Sequence, residues 1–359
     1  MKSMKNLVAL LLLPWLVAGC ATTYKSAEKK FENGNYETAI PLFKTAMEET
    51  KDPNLQAKAN YMIGECYRMS NRIWQAEPFY RKAYVSKLVE DPDLVYHYAF
   101  ALKAAGNYES AEKGFKAYMQ SGSDFTKARR AKDELEHLKE IERIARPNPY
   151  VTINNCDALN TENAEYSPVP FDGKLVFTSS RNSEMVYEAT GKGFTDLFYY
   201  DLAQNSECEG DPRPFNELVN LEGIHEASPT FSRNGKVMIF ARSNSGKKRD
   251  LVTDVKLYYA RMDDNGEWSE PQILYPVSDP NSTSWDASPA LSVDGTTLYF
   301  ASNRAGGYGG IDIWRARLNS NGQWSRPSNM GKTINTAGND MFPFVSRDGK
   351  LYFASDGHP

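Results

Sequence analysis

Between residues 24 and 120 the apolar positions follow the period of an α-helix and recur as a longer repeat. Turns are predicted at Gly34, Asn71 and Gly106, so the repeat lengths are 37 and 35 residues. An alanine follows each turn residue after five positions and an aromatic residue after nine (Ala39, Ala76 and Ala111; Phe43, Tyr80 and Phe115). The pattern predicts pairs of antiparallel helices in which the alanine allows close approach and the aromatic ring fills the neighbouring gap.

One more amphipathic helix is predicted over residues 124–145, with Asp124 as its N-cap. Its apolar stripe has helical spacing (Phe125, Ala128, Ala131, Leu135, Leu138 and Ile141). We expect this helix to cap the stack, because the end of a helical repeat array needs a polar outer face. The run Arg146-Pro147-Asn148-Pro149 then stops the helix and marks a predicted domain boundary.

After this boundary the pattern changes to short apolar runs in a repeat of about 60 residues. Each repeat has a Ser-Pro or Phe-Pro pair, then an Asp-Gly or Asn-Gly turn, then a second apolar run (pairs at 167, 228, 288 and 342; turns at 172, 234, 294 and 348). Such turns between apolar runs are a strong hairpin signal. A third strand is predicted after the first three hairpins, at 196–199, 257–259 and 312–314, and four short strands per repeat are typical of β-propeller blades.

The two patterns predict an α+β multidomain chain. Residues 20–146 are expected to form an α-solenoid whose repeat length is close to that of tetratricopeptide repeats. Residues 147–359 are expected to form an incomplete all-β propeller with three full blades and part of a fourth. Since the third repeat continues into a glycine-rich turn and another strand, we expect the sequence to be a truncated piece of a longer protein.

The N-terminus has the pattern of a bacterial export signal in residues 1–19. Lys2 and Lys5 precede a short apolar segment, residues 7–17, whereas spanning a bilayer takes about 20 residues. The segment ends in Val17-Ala18-Gly19-Cys20, which resembles a lipobox. The resemblance implies cleavage before Cys20 and a lipid on its thiol; the alternative is an ordinary signal peptide with a chance cysteine. Ala21 and the absence of an acidic cluster after it favour the outer membrane and its periplasmic face.

Three further cysteines complete the set of four. Cys66 lies in an apolar helical stretch and is predicted to be a small buried core residue. Cys156 and Cys208 form a possible disulfide in an oxidising periplasm, but the sequence leaves open whether they pair.

The overall charge argues against a nucleic-acid binder that relies on bulk positive charge, because 42 basic residues face 46 acidic ones. The charge is unevenly distributed. Residues 21–146 hold 21 basic and 19 acidic side chains, and residues 147–359 hold 19 and 27. An acidic second domain beside a nearly neutral first one suits protein partners better than anionic polymers.

Repeated polar residues near the predicted strands have two interpretations. Arg181, Arg242 and Arg304 follow the second strand of successive repeats. They either form hydrogen bonds within each blade to repeated acidic residues, or lie on a rim that contacts a partner. Asp196 and Asp312, which begin third strands, are expected to accept hydrogen bonds from backbone N–H groups at turns.

The sequence contains no motif that predicts catalysis, a cofactor or a metal ion. His225, Glu226 and Ser228 are close in sequence and resemble part of a catalytic constellation. The other repeats carry acidic residues at the same place, which favours a structural polar start to the strand. We therefore expect a protein that is not an enzyme.

The repeat that starts at Asp294-Gly295 and ends at Asp312-Ile313-Trp314 is similar to WD-like propeller repeats of Bacteroidota envelope proteins. Together with the lipobox and the helical repeats, it resembles OmpA-family outer-membrane lipoproteins, among them a lipoprotein of the type IX secretion system. The resemblance implies a non-enzymatic periplasmic scaffold with envelope proteins as partners, secretion-system ring or motor components among them. It also implies contact with peptidoglycan through an OmpA-like domain beyond these residues, and no nucleic-acid partner.

Two other functions stay open at this point. In the first, the propeller gates access to a hydrolase domain. In the second, the protein is a translocation factor that resembles TolB. TolB-like proteins lack the lipobox and the helical repeats, which weighs against the second.

Overall fold

The computed structural model describes residues 22–122, 124–144, 150–181, 183–202, 210–243 and 255–358. The chain consists of helices followed by an all-β region of antiparallel sheets. It divides into two compact units: Met1–Val151 with Glu188–Gly191, and Thr152–Tyr187 with Lys192–His358. The predicted signal segment, the lipidation residue Cys20 and the predicted boundary 146–149 lie outside the described residues.

The first unit contains seven helices among the described residues, and from α2 onward each packs against the next. Their bounds are α1 (22–32), α2 (Tyr36–Glu49), α3 (Pro53–Met69), α4 (Ile73–Ser86), α5 (Leu94–Ala104), α6 (Tyr108–Ser121) and α7 (Phe125–Ile144). Gly34, Asn71 and Gly106 end α1, α3 and α5 in left-handed conformation, with φ of 78°, 57° and 78°. Glycine and asparagine suit this helix-ending geometry, so the repeat reflects one recurring turn.

The predicted core of the helical repeat is confirmed. The alanines and aromatic residues that follow the three turns are fully buried. Cys66 is also buried and free, and burial raises the pKa of its thiol to about 12. None of the described helices combines the length and the apolar character needed to cross a bilayer.

Helix α7 begins with the predicted N-cap, and its predicted buried stripe is wrong at one residue, Phe125. Asp124 caps it by accepting hydrogen bonds from the backbone N–H groups of Thr126, at 2.8 Å, and Lys127, at 3.1 Å. The prediction that Phe125 belongs to the buried stripe is wrong, since its side chain is 82% exposed. Phe125 occupies the first helical position, one turn before the segment that packs on α6.

Among the described residues, the second unit contains three four-stranded sheets and two two-stranded sheets, one of which is a small hairpin. Sheet 1 consists of β1 (Glu165–Phe171), β2 (Lys174–Ser179), β5 (Asp196–Asp201) and β6 (Arg213–Pro214), with a small hairpin, β3 (Val186–Tyr187) and β4 (Lys192–Gly193), inserted before β5. Sheet 2 consists of β7 (Glu226–Phe231), β8 (Val237–Arg242), β9 (Lys256–Arg261) and β10 (Gln272–Ile273). Sheet 3 consists of β11 (Asp286–Leu291), β12 (Thr297–Ser302), β13 (Asp312–Arg317) and β14 (Ser328–Asn329). Sheet 4 pairs β15 (Asp340–Val345) with β16 (Leu351–Ser355).

The four predicted hairpins are confirmed as the first two strands of each sheet, and the three predicted third strands are β5, β9 and β13. Apolar cores form where successive sheets pack face to face. Ile239 and Leu257 of sheet 2, for example, share one buried cluster with Leu298 and Phe300 of sheet 3. This stacking places the first strands of the four sheets side by side.

Every first strand has the same irregularity. In sheet 1 the register with β2 shifts by one residue between Tyr166 and Val169, which is a β-bulge. The bulged residue has a positive φ of 50–53° in all four sheets (Ser167, Ser228, Ser288 and Phe342), and a proline follows it each time. The repeated Ser-Pro pair therefore marks the middle of the first strand.

Candidate functional site

The four first strands line one cavity of about 1140 Å³. Each of them is an edge strand, because β1, β7, β11 and β15 pair with a neighbour on one side only. The bulged residues and their prolines lie on the wall of the cavity. A bulge and a proline both interrupt the pattern of free N–H and C=O groups along an edge, which prevents the long strand pairing that leads to aggregation. The wall of the cavity therefore does not act as a template for another sheet.

Contacts between neighbouring sheets hold the wall in place. The hydroxyl groups of Ser167 and Ser228 lie 3.0 Å apart. The backbone N–H of Ser228 donates to Oγ1 of Thr178 at 2.9 Å, which links β7 to β2. The N–H of Leu291 donates to Oγ1 of Thr230 at 3.2 Å and links sheets 2 and 3 in turn. These bonds satisfy backbone N–H groups of edge strands through side chains of the neighbouring sheet.

One end of the cavity is formed by the turns between first and second strands. Its charged lining residues are Asp172, Arg233, Lys236 and Arg347, three cations and one acid. Arg233 and Arg347 are exposed and stand directly before the Asn-Gly or Asp-Gly pair of their turns. Sequence reasoning missed them, although both occur in the same sequence, Ser-Arg-(Asn or Asp)-Gly-Lys, which was the available signal.

The repeated arginines have well-defined partners inside their sheets. In sheet 1, Arg181 donates from Nη2 to Oε1 of Glu165 at 3.2 Å and from Nε to Oγ of Ser179 at 2.9 Å. Sheet 3 repeats this with Arg304, whose Nη2 donates to Oδ1 of Asp286 at 2.7 Å and whose Nε donates to Oγ of Ser302 at 2.9 Å.

Each guanidinium group also binds a loop carbonyl and stacks on aromatic rings. Arg181 donates to the carbonyl of Leu159, and Arg304 to that of Val277 at 3.0 Å. In both sheets the guanidinium carbon lies about 5 Å from the rings beneath it (5.3 and 5.5 Å for Arg181; 4.8 and 5.4 Å for Arg304).

Sheet 2 makes the same contacts from a different strand position. Arg242 pairs in register with Glu226, whereas sheets 1 and 3 have a serine at that position. Its Nε donates to Oε1 of Glu226 at 2.8 Å and its Nη2 to the carbonyl of Val219 at 2.7 Å. Arg181 and Arg242 are buried and Arg304 is mostly buried, so these three side chains do not form an exposed rim.

Among the described residues, sheet 4 has no arginine at the end of its second strand. The acid at the matching position, Asp340, is fully buried and accepts hydrogen bonds from the N–H and hydroxyl groups of Thr336, at 2.6 and 3.1 Å. The loop carbonyl at this place, that of Ile334, lies 2.8 Å from Nε2 of His358 instead. The imidazole of His358 therefore contacts the loop carbonyl that a guanidinium group contacts in the other sheets.

His225, Glu226 and Ser228 do not come together as a catalytic group. Nδ1 of His225 accepts a hydrogen bond from the N–H of Thr195 at 3.1 Å, while Glu226 binds Arg242 and Ser228 faces Ser167. Burial lowers the pKa of His225 to about 4, so the ring is neutral near pH 7. Burial raises the pKa of Glu226, and Arg242 opposes that shift.

The prediction that Asp196 and Asp312 both bind turn N–H groups holds for Asp312 only. Asp312 accepts hydrogen bonds from the N–H groups of Tyr308, at 2.5 Å, and Gly309, at 3.1 Å, and thereby holds the glycine-rich turn. The carboxylate of Asp196 accepts no hydrogen bond from any described residue. Burial without a partner raises the pKa of Asp196 to about 6.

The remaining candidate site concerns the cysteines. Cys156 is disulfide-bonded. Its predicted partner, Cys208, lies outside the described residues, so the Cys156–Cys208 pairing stays a prediction. Within the described ranges no three His, Cys, Asp or Glu side chains are grouped so that they could hold a metal ion.

Comparison with known proteins identifies distant structural similarity only. No protein-family model matches the chain, and no curated protein sequence does. A thermostable family-43 glycoside hydrolase is similar over 54% of this chain and 67% of its own, at 13% identity and a TM-score of 0.38. A puromycin hydrolase is similar over 55% and 36%, at 15% identity and a TM-score of 0.32. The α-L-arabinofuranosidase of Lactobacillus brevis is similar over 55% and 65%, at 14% identity and a TM-score of 0.34.

Proposed function

We propose that this chain is a non-enzymatic scaffold of the bacterial envelope, anchored in the outer membrane through a lipid on Cys20 and facing the periplasm. In this proposal the helical unit is a tetratricopeptide-like solenoid and the β unit is an incomplete WD-like propeller. Its partners are envelope proteins, with ring or motor components of the type IX secretion system as the specific expectation. Peptidoglycan contact belongs to an OmpA-like domain outside the residues present here.

The observation that carries the proposal is that the repeated charged residues bind each other inside the sheets, whereas exposed aromatic residues lie on the cavity. The acids and arginines at the strand ends bind each other, a loop carbonyl and aromatic rings. They are therefore structural groups. On the cavity, by contrast, Phe342 and Phe344 are half exposed beside the edges of the first strands. Exposed aromatic rings on the wall of a cavity are typical of surfaces that receive another protein.

Site-specific photo-crosslinking in the native bacterium tests this function. A photoreactive phenylalanine analogue replaces Phe344, which lies on the cavity and is 55% exposed. The matched control carries the analogue at Tyr275, which is 67% exposed and lies outside the cavity lining. We expect a discrete adduct with an envelope protein from position 344 and none from position 275, with the partner identified by mass spectrometry.

The identity of the adduct decides how much of the proposal stands. Ring or motor proteins of the secretion system would support all of it. An adduct with another envelope protein would support the scaffold function but contradict its assignment to the secretion system. Equal labelling at both positions, or none at either, would contradict protein binding at the cavity.

A further inference from the structure

We propose that the turn end of the cavity binds carboxylate groups of an acidic peptide segment through Arg233 and Arg347. The inference rests on the proposed scaffold function and specifies the chemistry of the segment that the cavity receives. It concerns the end of the cavity formed by the turns between first and second strands.

The first observation is a contrast of charge. Residues 147–359 hold 19 basic and 27 acidic side chains, so the β region as a whole is acidic. The charged side chains on the cavity are three cations and one acid. A basic recess in an acidic surface concentrates positive potential there and favours an anionic guest.

The second observation is that two of the three turn acids, Asp294 and Asp348, have partners, whereas the two turn arginines have none among the described residues. The carboxylate of Asp294 accepts hydrogen bonds from the hydroxyl of Ser292 and the N–H of Thr296, and that of Asp348 binds Lys350 at 2.7 Å. Arg233 and Arg347 form no side-chain hydrogen bond or ion pair with any described residue. Their guanidinium groups are therefore free to bind a carboxylate in the two-pronged manner that arginine favours.

The other charges near this end fall into two groups. Lys236 is engaged, since its Nζ donates to the carbonyl of Asp263 at 2.8 Å and lies 3.6 Å from Asp264. Two acids oppose the guest: Asp172 on the cavity wall, and Asp294, which with Arg233 lines a smaller cleft of about 500 Å³. Asp172 is exposed and has no described partner, so its removal should strengthen the binding of an anion.

The size and the wall of the cavity favour a peptide as the guest. Its volume of about 1140 Å³ exceeds that of most small-molecule sites, which span roughly 300–1,000 Å³. The stacked rings of Phe171 and Phe231, with centroids 4.0 Å apart, supply apolar surface in the wall of the same cavity. A segment that alternates acidic and aromatic residues would match both features.

Fluorescence anisotropy with the full chain tests the inference. The probe is a fluorescein-labelled heptapeptide of alternating glutamate and phenylalanine, and its matched control has glutamine in place of each glutamate. We expect the glutamate peptide to bind at least tenfold more tightly. The double variant Arg233→Gln/Arg347→Gln should lose at least tenfold in affinity for it, and Asp172→Asn should gain.

The protein control is Arg326→Gln, which removes an exposed arginine of the same unit that does not line the cavity. It should bind the glutamate peptide like the unaltered protein. Thermal unfolding establishes that the double variant is folded, and the two single variants, each with a smaller loss, replace it if it is not.

The inference is overturned if both peptides bind alike, if neither binds, or if the double variant binds as well as Arg326→Gln. Crosslinking from position 344 separates this failure from that of the scaffold. An adduct that persists in the double variant would uphold the proposed function and reject the carboxylate site. If position 344 gives no adduct even in the protein that keeps Arg233 and Arg347, the proposed function itself is rejected.

Discussion

Arg242 donates a hydrogen bond from Nε to Oε1 of Glu226 at 2.8 Å, from a strand position that holds a serine in sheets 1 and 3. In those sheets the arginine comes two residues later and reaches its acid past the serine hydroxyl. The guanidinium group nevertheless meets a buried carboxylate, a loop carbonyl and two rings in all three sheets. The long, flexible arginine side chain makes this possible, so the buried contact matters more than the position that supplies it.

Arg242→Met should destabilise the protein by about 1–3 kcal/mol at pH 7, because it leaves the buried carboxyl group of Glu226, whose pKa burial raises to about 8, without its hydrogen-bond donor. Urea unfolding followed by circular dichroism measures the loss. Arg326→Met, an exposed site, is the control and should change little. A loss below about 1 kcal/mol would mean that the contact is dispensable for the sheet.

Glu65→Gln should destabilise the helical unit by about 3 kcal/mol at pH 7. Glu65 of α3 is buried and joins three helices: it pairs with Arg68, accepts a hydrogen bond from Tyr80 of α4, and lies 3.0 Å from Nδ1 of His97 of α5. Burial alone would raise the pKa of Glu65, but the bonds from His97 and Arg68 outweigh it and lower the pKa from 4.5 to about 2.

The pH dependence of this loss has a definite sign. A lowered pKa in the folded state gives stability above pH 4.5 that disappears as the pH falls towards 2. The difference between the unaltered protein and Glu65→Gln should therefore be constant above pH 5.5 and shrink below pH 4.5. Glu109→Gln, in an exposed pair with Lys113, is the matched control and should leave the unfolding midpoint nearly unchanged. A pH-independent difference would contradict the assignment.

Asp196→Asn should stabilise the protein at pH 7. The pKa of Asp196 is raised from 3.8 to about 6 by burial, so the folded state disfavours the ionised carboxyl. The gain should be absent below pH 3.8, grow between pH 3.8 and 6, and reach about 1 kcal/mol, since the group is partly exposed to water. Thermal unfolding at pH 4 and pH 7 measures it, and a less stable variant at pH 7 would show that the carboxylate has a favourable role.

Gly309→Ala should cost about 3 kcal/mol, because a Cβ at this place would lie 2.2 Å from the carbonyl oxygen of Gly338 and 2.5 Å from that of Thr336. Backbone atoms cannot move aside as a side chain can. Gly331→Ala is the control, since it has open space and a φ of 80°, and it should cost only about 1 kcal/mol from the left-handed conformation. Equal losses in urea unfolding would refute the steric argument.

Much of the fold was predictable because its signals are local. The left-handed turns at Gly34, Asn71 and Gly106 and the hairpins at the Asp-Gly and Asn-Gly pairs depend on neighbouring residues. The failures concern partners that are remote in sequence. Phe125 has the right spacing for the stripe but no helix to cover it, and Asp196 occupies the place of Asp312 without a glycine-rich turn to hold.

The candidate site was less predictable. The sequence allowed two interpretations of Arg181, Arg242 and Arg304, and only the packing of the sheets decided that they are internal. The two free arginines of the cavity, Arg233 and Arg347, come from different repeats but hold the same place in a shared Ser-Arg-(Asn or Asp)-Gly-Lys sequence, and only the structure shows that both line the cavity.

The sequence by itself determined the order of a helical repeat and a β repeat, the positions of their turns and most of their core residues. These follow from periodicity and turn chemistry, which act between near neighbours in the chain. Only the tertiary structure decided that the Ser-Pro pairs are bulges on a shared cavity wall and that its charged lining is mainly basic. Both depend on side-by-side packing of strands about 60 residues apart, an arrangement that no local pattern encodes.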